Sequence, residues 1–355
     1  MEEQKHKRRI HYSGKYPKKF EEKYKEHNPQ KYADTVAHVI EKGGTPAGMH
    51  ISIMVKEILD FLQIKPGQQG LDATLGYGGH TRRMLEQLNG NGCIYGLDVD
   101  PIESEKTTKR LRDLGFDENR FQFRLTNFAN IDEVASEAGK FDFILADLGV
   151  SSMQIDNPQR GFSYKIDGPL DLRMNPNKGS SAAQRLREIT KEEFVGMLIE
   201  NSDEPYAQEI ADKVFFRMQK GAAMDTTTEL REAIEAALVY LPKDERAEAV
   251  KKSCQRTFQA LRIDVNSEFE VLYAFLDKLP SVLKPGGRVA ILTFHSGEDR
   301  LVKRAFKEGY QNGIYSEICR DVIRPSAQEC RMNPRAKSTK MRWAVRSTSD
   351  LSTID

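Results

Sequence analysis

The stretch LDATLGYGGHTRRML (residues 71–85) decides the fold, because three glycines within four positions join a short apolar run to a helix-like run. Glycine lets another group approach the backbone closely, since it carries no side chain. A phosphate-binding P-loop needs GxxxxGK followed by Ser or Thr, which this chain lacks, and the third glycine of a dinucleotide-binding GxGxxG pattern is missing. The loop alone is therefore compatible with a plain tight turn and with a ligand site.

The segments around this loop alternate between short apolar runs and helix-like runs. The apolar runs cover residues 70–74, 93–100, 121–128 and 141–150, and the helix-like runs between them cover residues 79–89, 101–114 and 130–139. Such alternation is typical of βαβ units, which build a parallel sheet. Residues 265–295 return to the pattern with a long helix, a Pro-Gly-Gly turn and an apolar strand.

The same pattern divides the chain into three parts. Residues 1–48 lack steady hydrophobic periodicity, and we interpret them as a basic N-terminal extension. Residues 49–160 and 263–355 are predicted to form one parallel-sheet domain. Residues 161–262 contain amphipathic helical runs, one of which begins with the capping-box pair Thr226 and Glu229, and are predicted to form an inserted all-helical domain.

Composition indicates an ordinary globular protein of 355 residues, 39% hydrophobic and 30% charged. The apolar runs are all well short of 18 residues, and the charged N-terminus has no apolar signal region, so we expect a cytoplasmic protein. The cysteines lack CxxC spacing and the histidines lack HxxxH or HExxH spacing, so we predict reduced thiols and no metal site. The cysteines are Cys93, Cys254, Cys319 and Cys330.

Basic residues are concentrated near the two ends of the chain. Residues 1–31 carry ten Lys and Arg against five Asp and Glu, and residues 331–346 carry six basic residues and no acidic one. A basic stretch is often a solvated face, but two of them at opposite ends favour a polyanionic partner.

Carboxylates near the glycine loop narrow the choice of ligand. Asp72 closes the first predicted strand just before the loop, and Asp98 ends the second predicted strand, 22 residues after Gly76. A carboxylate at the second position accepts hydrogen bonds from ribose hydroxyls, and acidic groups beside the loop repel phosphate. A nucleoside without pyrophosphate, with an ammonium tail and a sulfonium, fits this setting. The residues therefore favour an S-adenosylmethionine-dependent methyltransferase over a dehydrogenase.

Two further polar groups stand at predicted strand ends. Asp147 ends the fourth strand and His295 follows the fifth, and ligands of doubly wound sheets bind at this edge. We interpret Asp147 as a loop-capping residue or as a carboxylate near the reacting atoms. The polar residues that follow the fifth strand favour a functional strand end, and a second interpretation, which does not exclude the first, is that Ser296 caps the next helix with Asp299 as its partner. Residues 171–173 contain a predicted structural ion pair.

Several blocks resemble, in order from about His50 to Val345, those of one family. They are DATLGYGGHTRRML, GLDVDP, ADLGVSSMQIDNPQRGFSYKIDGPLDLRM, RTFQALRIDVNSE, LKPGGRVAILTFHSGEDRLVK and NPRAKSTKMR. The chain is similar in these blocks to the MraW/RsmH family of 16S ribosomal RNA (cytosine-N4)-methyltransferases. The resemblance implies a Rossmann-like S-adenosylmethionine-dependent methyltransferase sheet with an inserted all-helical domain. It also implies a decoding-site cytidine of the small ribosomal subunit as substrate, and it is compatible with a homodimer.

The resemblance further implies site residues. The cofactor contacts would be Gly78, Gly79, His80, Asp98, Phe128, Asp147 and Gln154. We predict Asp147 and nearby carbonyls as acceptors for the amine hydrogens of cytosine, and His295 as a base or a base-orienting group. Arg160 and the basic ends would bind phosphates.

The chain also departs from the family pattern. It has 48 extra N-terminal residues, Ser253-Cys254 lies where the family carries a His-Pro-Ala segment, and Gly297 replaces the leucine of FHSLEDR. These departures indicate a divergent branch. Two alternatives stay open: a methyltransferase for a different RNA nucleotide, and a non-catalytic RNA-binding or ribosome assembly factor.

Overall fold

A computed structural model describes residues 52–348. The predicted N-terminal extension therefore lies outside the described residues. Within residues 52–348, no helix has the length and apolar composition needed to cross a membrane.

The described residues contain a seven-stranded sheet with the order β3-β2-β1-β4-β5-β7-β6. Its strands are β1 (Gln69–Asp72), β2 (Cys93–Asp98), β3 (Phe121–Leu125), β4 (Phe141–Asp147), β5 (Leu283–Thr293), β6 (Tyr315–Ile318) and β7 (Lys340–Arg346). Strands β1 to β5 are parallel, whereas β7 is antiparallel to both of its neighbours. The chain order reverses between β1 and β4, so the carboxyl ends of these two strands border the crevice where doubly wound sheets bind ligands.

Helices cover the sheet and fill the long connection between β4 and β5. Those that accompany the first strands are α1 (Val55–Leu62), α2 (Gly79–Gln87), α3 (Pro101–Asp113) and α4 (Ile131–Ala138). The long connection holds α5 (Ser152–Asp156), α6 (Ala182–Glu188), α7 (Lys191–Ser202), α8 (Ala207–Gln219), α9 (Thr227–Ala237) and α10 (Lys243–Asn266). The remaining helices are α11 (Glu268–Val282), α12 (Ser296–Gln311) and α13 (Ala327–Met332).

Apolar residues on both faces of the sheet hold these layers together. Adjacent residues of a strand point to opposite faces, so Ile144 packs with the core beneath α11 and Leu145 packs with the core beneath α1 and α2. Both side chains are fully buried. Central parallel strands are covered on two faces, which explains why β4 is almost continuously apolar.

Helices α6 to α10, in the connection between β4 and β5, have a hydrophobic core of their own. Residues from α6 to α10 meet there, including Leu186, Phe194, Ile210 and Leu261. The predicted capping box at the start of α9 is confirmed, since Glu229 N–H donates to Thr226 Oγ1 and Glu229 Oε2 accepts from Thr226 N–H. The separation of residues 161–262 as a domain stays a prediction.

The predicted α/β fold is confirmed; β2, β3 and β4 lie within the predicted apolar runs, and β1 begins one residue before its run. The final antiparallel pair, β6 and β7, was not predicted. Much of the basic C-terminal stretch is strand β7, in which Arg342 is buried against Asp299 at 2.6 Å. The prediction for Ser296 is wrong, because His295 occupies the cap position of α12 without a capping hydrogen bond and Asp299 binds β7 instead.

Candidate active site

Side chains at the end of β2 and on α3 hold the backbone of the glycine loop. The N–H of Gly76 donates to Asp98 Oδ2 at 2.8 Å, and the carbonyl of Gly76 accepts from Thr107 Oγ1 at 2.7 Å. Gly78 has φ +70°, and a Cβ there would lie 2.8 Å from Thr107 Cγ2. Only glycine satisfies both conditions at position 78, so the loop packs tightly against α3. Gly79 is the first residue of α2.

Asp98 is the carboxylate that the sequence predicts for the ribose. Its Oδ1 accepts from the N–H of Asp100 at 2.8 Å, while Oδ2 accepts from Gly76. Burial raises the pKa of Asp98 to about 6, even though these two N–H groups favour the charged form. Each carboxylate oxygen keeps a second lone pair, so the group can still accept hydrogen bonds from two hydroxyls.

Asp72 has a different position from the one predicted beside the ligand. It is 1% exposed and lies beneath the loop, where Oδ2 accepts from Thr81 Oγ1 at 2.6 Å and Oδ1 accepts from Thr74 N–H at 3.1 Å. Burial raises the pKa of Asp72. Its role is therefore to tie the end of β1 to α2.

His80 and Asp147 face each other across the crevice between β1 and β4. His80 Nε2 lies 3.5 Å from Asp147 Oδ2, and the Asp147 N–H donates to Thr74 Oγ1 at 2.6 Å. Within the described part of the chain, the buried atoms His80 Nε2 and Asp147 Oδ1 have no hydrogen-bond partner. Buried polar atoms are rarely left in this state, so this pair is suited to a polar ligand. We call Asp72, His80, Asp98 and Asp147 the loop cluster.

A buried ion pair borders the loop cluster and accounts for two predicted residues. Asp100 Oδ2 accepts from Arg160 Nη1 at 2.7 Å and from Gln154 Nε2 at 2.9 Å, while Gln154 Oε1 accepts from Ser151 N–H. Arg160 also donates to the carbonyls of residues 173 and 174. The predicted phosphate-binding role of Arg160 is wrong, because its guanidinium is buried and already paired. For Gln154 one amide N–H remains free of these bonds, and its cofactor contact stays a prediction.

Two other predicted features are the position of Phe128 and the ion pair between Asp171 and Arg173. Phe128 follows β3, and its half-buried ring packs edge-on against Phe275 with the centroids 5.1 Å apart. Its contact with adenine stays a prediction. The predicted ion pair between Asp171 and Arg173 is confirmed, with both carboxylate oxygens accepting from the guanidinium.

A second polar cluster surrounds His295 at the end of β5. His295 Nε2 lies 3.2 Å from Glu298 Oε1, and Arg262 donates to both oxygens of Glu268 at 2.7 and 2.9 Å. Burial alone would raise the pKa of Glu298, but His295 and Arg262 outweigh it and hold that pKa below its usual value. We call Arg262, Glu268, His295 and Glu298 the helix cluster, because its members come from α10, α11, the residue before α12 and α12.

Within residues 52–348, one group of three residues has spacing suited to a metal, and it lies in the helix cluster. Potential ligand atoms of Glu268, His295 and Glu298 all lie within 4.8 Å of one another. However, both oxygens of Glu268 already accept from Arg262, whose guanidinium supplies the positive charge that a cation would bring. We therefore interpret the cluster as an ion-pair network. Sequence reasoning missed Arg262 and Glu268, although both lie within the block RTFQALRIDVNSE.

Two of the departures from the family pattern, at Gly297 and at Ser253-Cys254, lie within the described residues, and their packing explains them. A Cβ at Gly297 would lie 2.7 Å from Phe269 Cζ and 3.1 Å from His295 Nδ1, so glycine makes room for Phe269. Ser253 is fully buried, and its hydroxyl donates to the buried carboxylate of Glu204 at 2.8 Å. The neighbouring Cys254 is also buried, and all the cysteines are free thiols.

The glycine loop follows β1, and carboxylates stand at the ends of β2 and β4, all at one edge of a doubly wound sheet. These are the features of S-adenosylmethionine-dependent methyltransferases. Comparison with known families agrees. A family model described as the MraW methylase family matches residues 47–347, and the chain belongs to this family. The predicted cofactor, S-adenosylmethionine, is thereby confirmed, and the unpartnered atoms of His80 and Asp147 fit a ligand with polar groups.

Individual relatives give the next level of detail. The Ribosomal RNA small subunit methyltransferase H 1 of Agathobacter rectalis is 69% identical over 97% of this chain and 99% of its own length. The methyltransferase H of Thioalkalivibrio sulfidiphilus is 36% identical over 99% of its own length but only 85% of this chain. Part of this chain therefore has a counterpart in the first relative and not in the second. A solved rRNA methylase from Streptococcus thermophilus has 13% identity to this chain and a TM-score of 0.40. The match covers 84% of this chain and 99% of that protein. This similarity is too distant to add to the assignment.

Proposed function

We propose that this methylase transfers a methyl group to the N4 amine of a cytidine in small-subunit ribosomal RNA, near the decoding site. The names of relatives that match nearly the whole chain support small-subunit RNA as the substrate. The observation that carries the chemistry is Asp147, whose Oδ1 is buried at the carboxyl end of β4 and free of partners among residues 52–348.

Bound S-adenosylmethionine supplies an electrophilic methyl group. The loop cluster would hold it, with Asp98 accepting from the ribose hydroxyls and His80 and Asp147 lying beside its charged end. These residues fix the donor, so that a well-placed amine about 3–3.5 Å from the methyl carbon is ready to react.

The exocyclic amine of cytosine is a weak nucleophile, because its lone pair is delocalised into the ring. Asp147 would accept a hydrogen bond from the amine, which favours a pyramidal nitrogen with an available lone pair. A proton must leave the nitrogen as the new bond forms, and Asp147 or His295 would receive it. The cytidine must also leave any helical stack to reach this edge of the sheet.

We also propose that the helices of residues 161–262 form an inserted domain that borders this edge. Their separate hydrophobic core supports this division. Arg160 donates to the carbonyls of residues 173 and 174, and so connects the start of the insertion to Asp100 beside the loop cluster.

The test is transfer of tritiated methyl groups to small ribosomal subunits that lack the modification, followed by mapping of the labelled nucleotide. We expect label at a cytidine near the decoding site and a loss of turnover of about 10²–10⁴-fold in Asp147→Asn. Asp113→Asn, an exposed carboxylate of α3, is the matched control and should keep full turnover.

Each alternative has its own outcome. Label at another nucleotide would show that the acceptor is wrong while the methylase chemistry stands. The absence of label from every RNA would favour a non-catalytic assembly factor. Full turnover in both Asp147→Asn and His295→Ala would remove both residues from the reaction.

A further inference from the structure

The connection between β6 and β7, residues 319–339, lies at the edge of the sheet that carries Asp147 and His295. Strand β7 begins at Lys340, which pairs with Thr293 at the carboxyl end of β5. Before that, Ile323 forms an isolated bridge with Met341, the partner of Leu292. The connection therefore lies at the carboxyl edge of the parallel strands, where the proposed site is, and not at the opposite edge.

Three contacts hold this connection in place. Ile323 and Met341 exchange two backbone hydrogen bonds, at 3.2 and 2.9 Å. Glu329 Oε1 accepts from the N–H of Met54 at 2.7 Å, just before α1. Arg335 donates to both oxygens of Asp156 at the end of α5, at 2.7 and 3.1 Å. Since α5 follows β4, the last contact fixes the connection beside the strand end that carries Asp147.

The connection carries five basic residues and two acidic ones. One residue of each sign, Arg335 and Glu329, is used in the contacts above. The other basic residues are exposed, and none has a hydrogen bond or ion pair to another residue in the described part of the chain; they are Arg320, Arg324, Arg331 and Lys337. We call these four side chains the cationic arch.

The other basic residues of the C-terminal stretch are committed to the fold. Lys340 and Arg342 both bind Asp299, and Arg346 donates to the carbonyls of Pro280 and Ile314. These side chains already donate hydrogen bonds within the protein. The cationic arch is therefore a distinct set, of which Arg320 and Arg324 lie outside the stretch that composition alone singles out.

We propose that the cationic arch binds backbone phosphates of the substrate RNA on either side of the methylated nucleotide. The inference rests on the proposed function and specifies its RNA-binding surface. A guanidinium donates two parallel hydrogen bonds to a phosphate, and three of the four side chains are arginines. Such contacts position an RNA strand without reading its sequence. The anchored backbone lowers the cost of ordering the surface when the RNA binds.

The test compares two variants of the full-length protein that lose the same charge. In the arch variant, Arg320, Arg324, Arg331 and Lys337 are all replaced by Gln. In the control variant, Gln replaces four exposed lysines outside the connection. Two of them precede strands and two are on helices α3 and α12: Lys65, Lys140, Lys109 and Lys307. Binding of a single-stranded RNA containing the target cytidine is measured against salt concentration, with S-adenosylhomocysteine present, and methyl transfer to small subunits is measured in parallel.

We expect the arch variant to bind RNA about tenfold or more weakly at moderate salt, with a salt slope smaller by about one for each lost phosphate contact. The KM for small subunits should rise, whereas kcat at saturating subunits and the affinity for S-adenosylmethionine should not change. The control variant should resemble the wild type, and equal thermal stability of the variants would show that both are folded.

Three results would overturn the proposal. They are an unchanged salt slope in the arch variant, an equal loss in the control variant, and wild-type binding to polyglutamate as tight as to RNA. The last result would indicate an acidic protein as the partner. Failure of the proposed function is distinguishable, because it would appear as absent or misplaced methyl label in the wild type whatever the slopes are.

Discussion

The loop cluster and the helix cluster lie at the same edge of the sheet but are held by different forces. In the loop cluster, carboxylates accept from backbone N–H groups and from the hydroxyl of Thr81 on α2. In the helix cluster, charged side chains of three helices hold one another. The first arrangement tolerates changes in most surrounding side chains, whereas the second depends on each member, because removal of one charge leaves another buried without compensation.

Replacement of Arg262 should have the largest effect of the changes that test this difference between the two clusters. In Arg262→Met, Glu268 and Glu298 remain buried beside His295 without their permanent cation. We expect the free energy of unfolding to fall by about 3–5 kcal/mol, as measured by urea denaturation. The pKa of Glu298 should also rise, since Arg262 helps to hold it down.

The matched control is Arg112→Met, in which the lost partner is Glu118 and both side chains of the pair are more than half exposed. Exposed pairs contribute about 0–1 kcal/mol. A cost for Arg262→Met no larger than that of the control would show that the helix cluster is not held by its charges.

A change at Gly297 tests the packing of the helix cluster and not its charge. In Gly297→Ala the new methyl group would meet the ring of Phe269 and the imidazole of His295, so both must shift. Overpacking of this kind costs about 1–3 kcal/mol. We expect turnover to fall together with stability, because His295 moves, and both should be measured on the same preparations.

The rescue variant combines Gly297→Ala with Phe269→Leu, which removes the ring that the methyl group meets. Stability and turnover should both recover towards the wild-type values. If the double variant is as impaired as the single one, then Phe269 is not the reason that glycine stands at position 297.

The two clusters also differ in how well the sequence predicts them. Asp98, Asp72 and Asp147 end β2, β1 and β4, which are neighbours in the sheet, and the rule that ligands bind at the carboxyl edge is enough to bring them together. Their separate roles were less accessible: Asp72 faces Thr81 beneath the loop, and its proximity in sequence gives no sign of that.

The helix cluster could be predicted only in part. His295 stands at a strand end and was identified, but its neighbours Arg262 and Glu268 come from helices whose packing angles no sequence pattern defines. Strands β6 and β7 were missed for a related reason. Their buried charge, Arg342, is neutralised by Asp299 on α12, so a strand interior looks like a basic surface until that partner is known.

The pH dependence of cofactor binding gives the finest test of the loop cluster. Burial raises the pKa of Asp98 to about 6, so the carboxylate is ionised above that pH and protonated below it. A protonated carboxyl loses acceptor strength towards the ribose hydroxyls. We expect the affinity for S-adenosylhomocysteine, measured by calorimetry, to fall about tenfold per pH unit below pH 6.

The stability of the ligand-free protein should respond to the same group with the opposite sign. Because the folded-state pKa is higher than the unfolded one, the folded protein binds more protons between about pH 4 and 6. The contribution of Asp98 to stability is therefore fully present below that window and is lost as the pH rises through it.

In Asp98→Asn both pH dependences should disappear relative to the wild type, and the affinity should be low at every pH. An affinity profile that falls below pH 6 with the same slope in wild type and Asp98→Asn would assign the titration to another member of the loop cluster. Asp72, whose pKa is also raised by burial, is then the carboxylate to test.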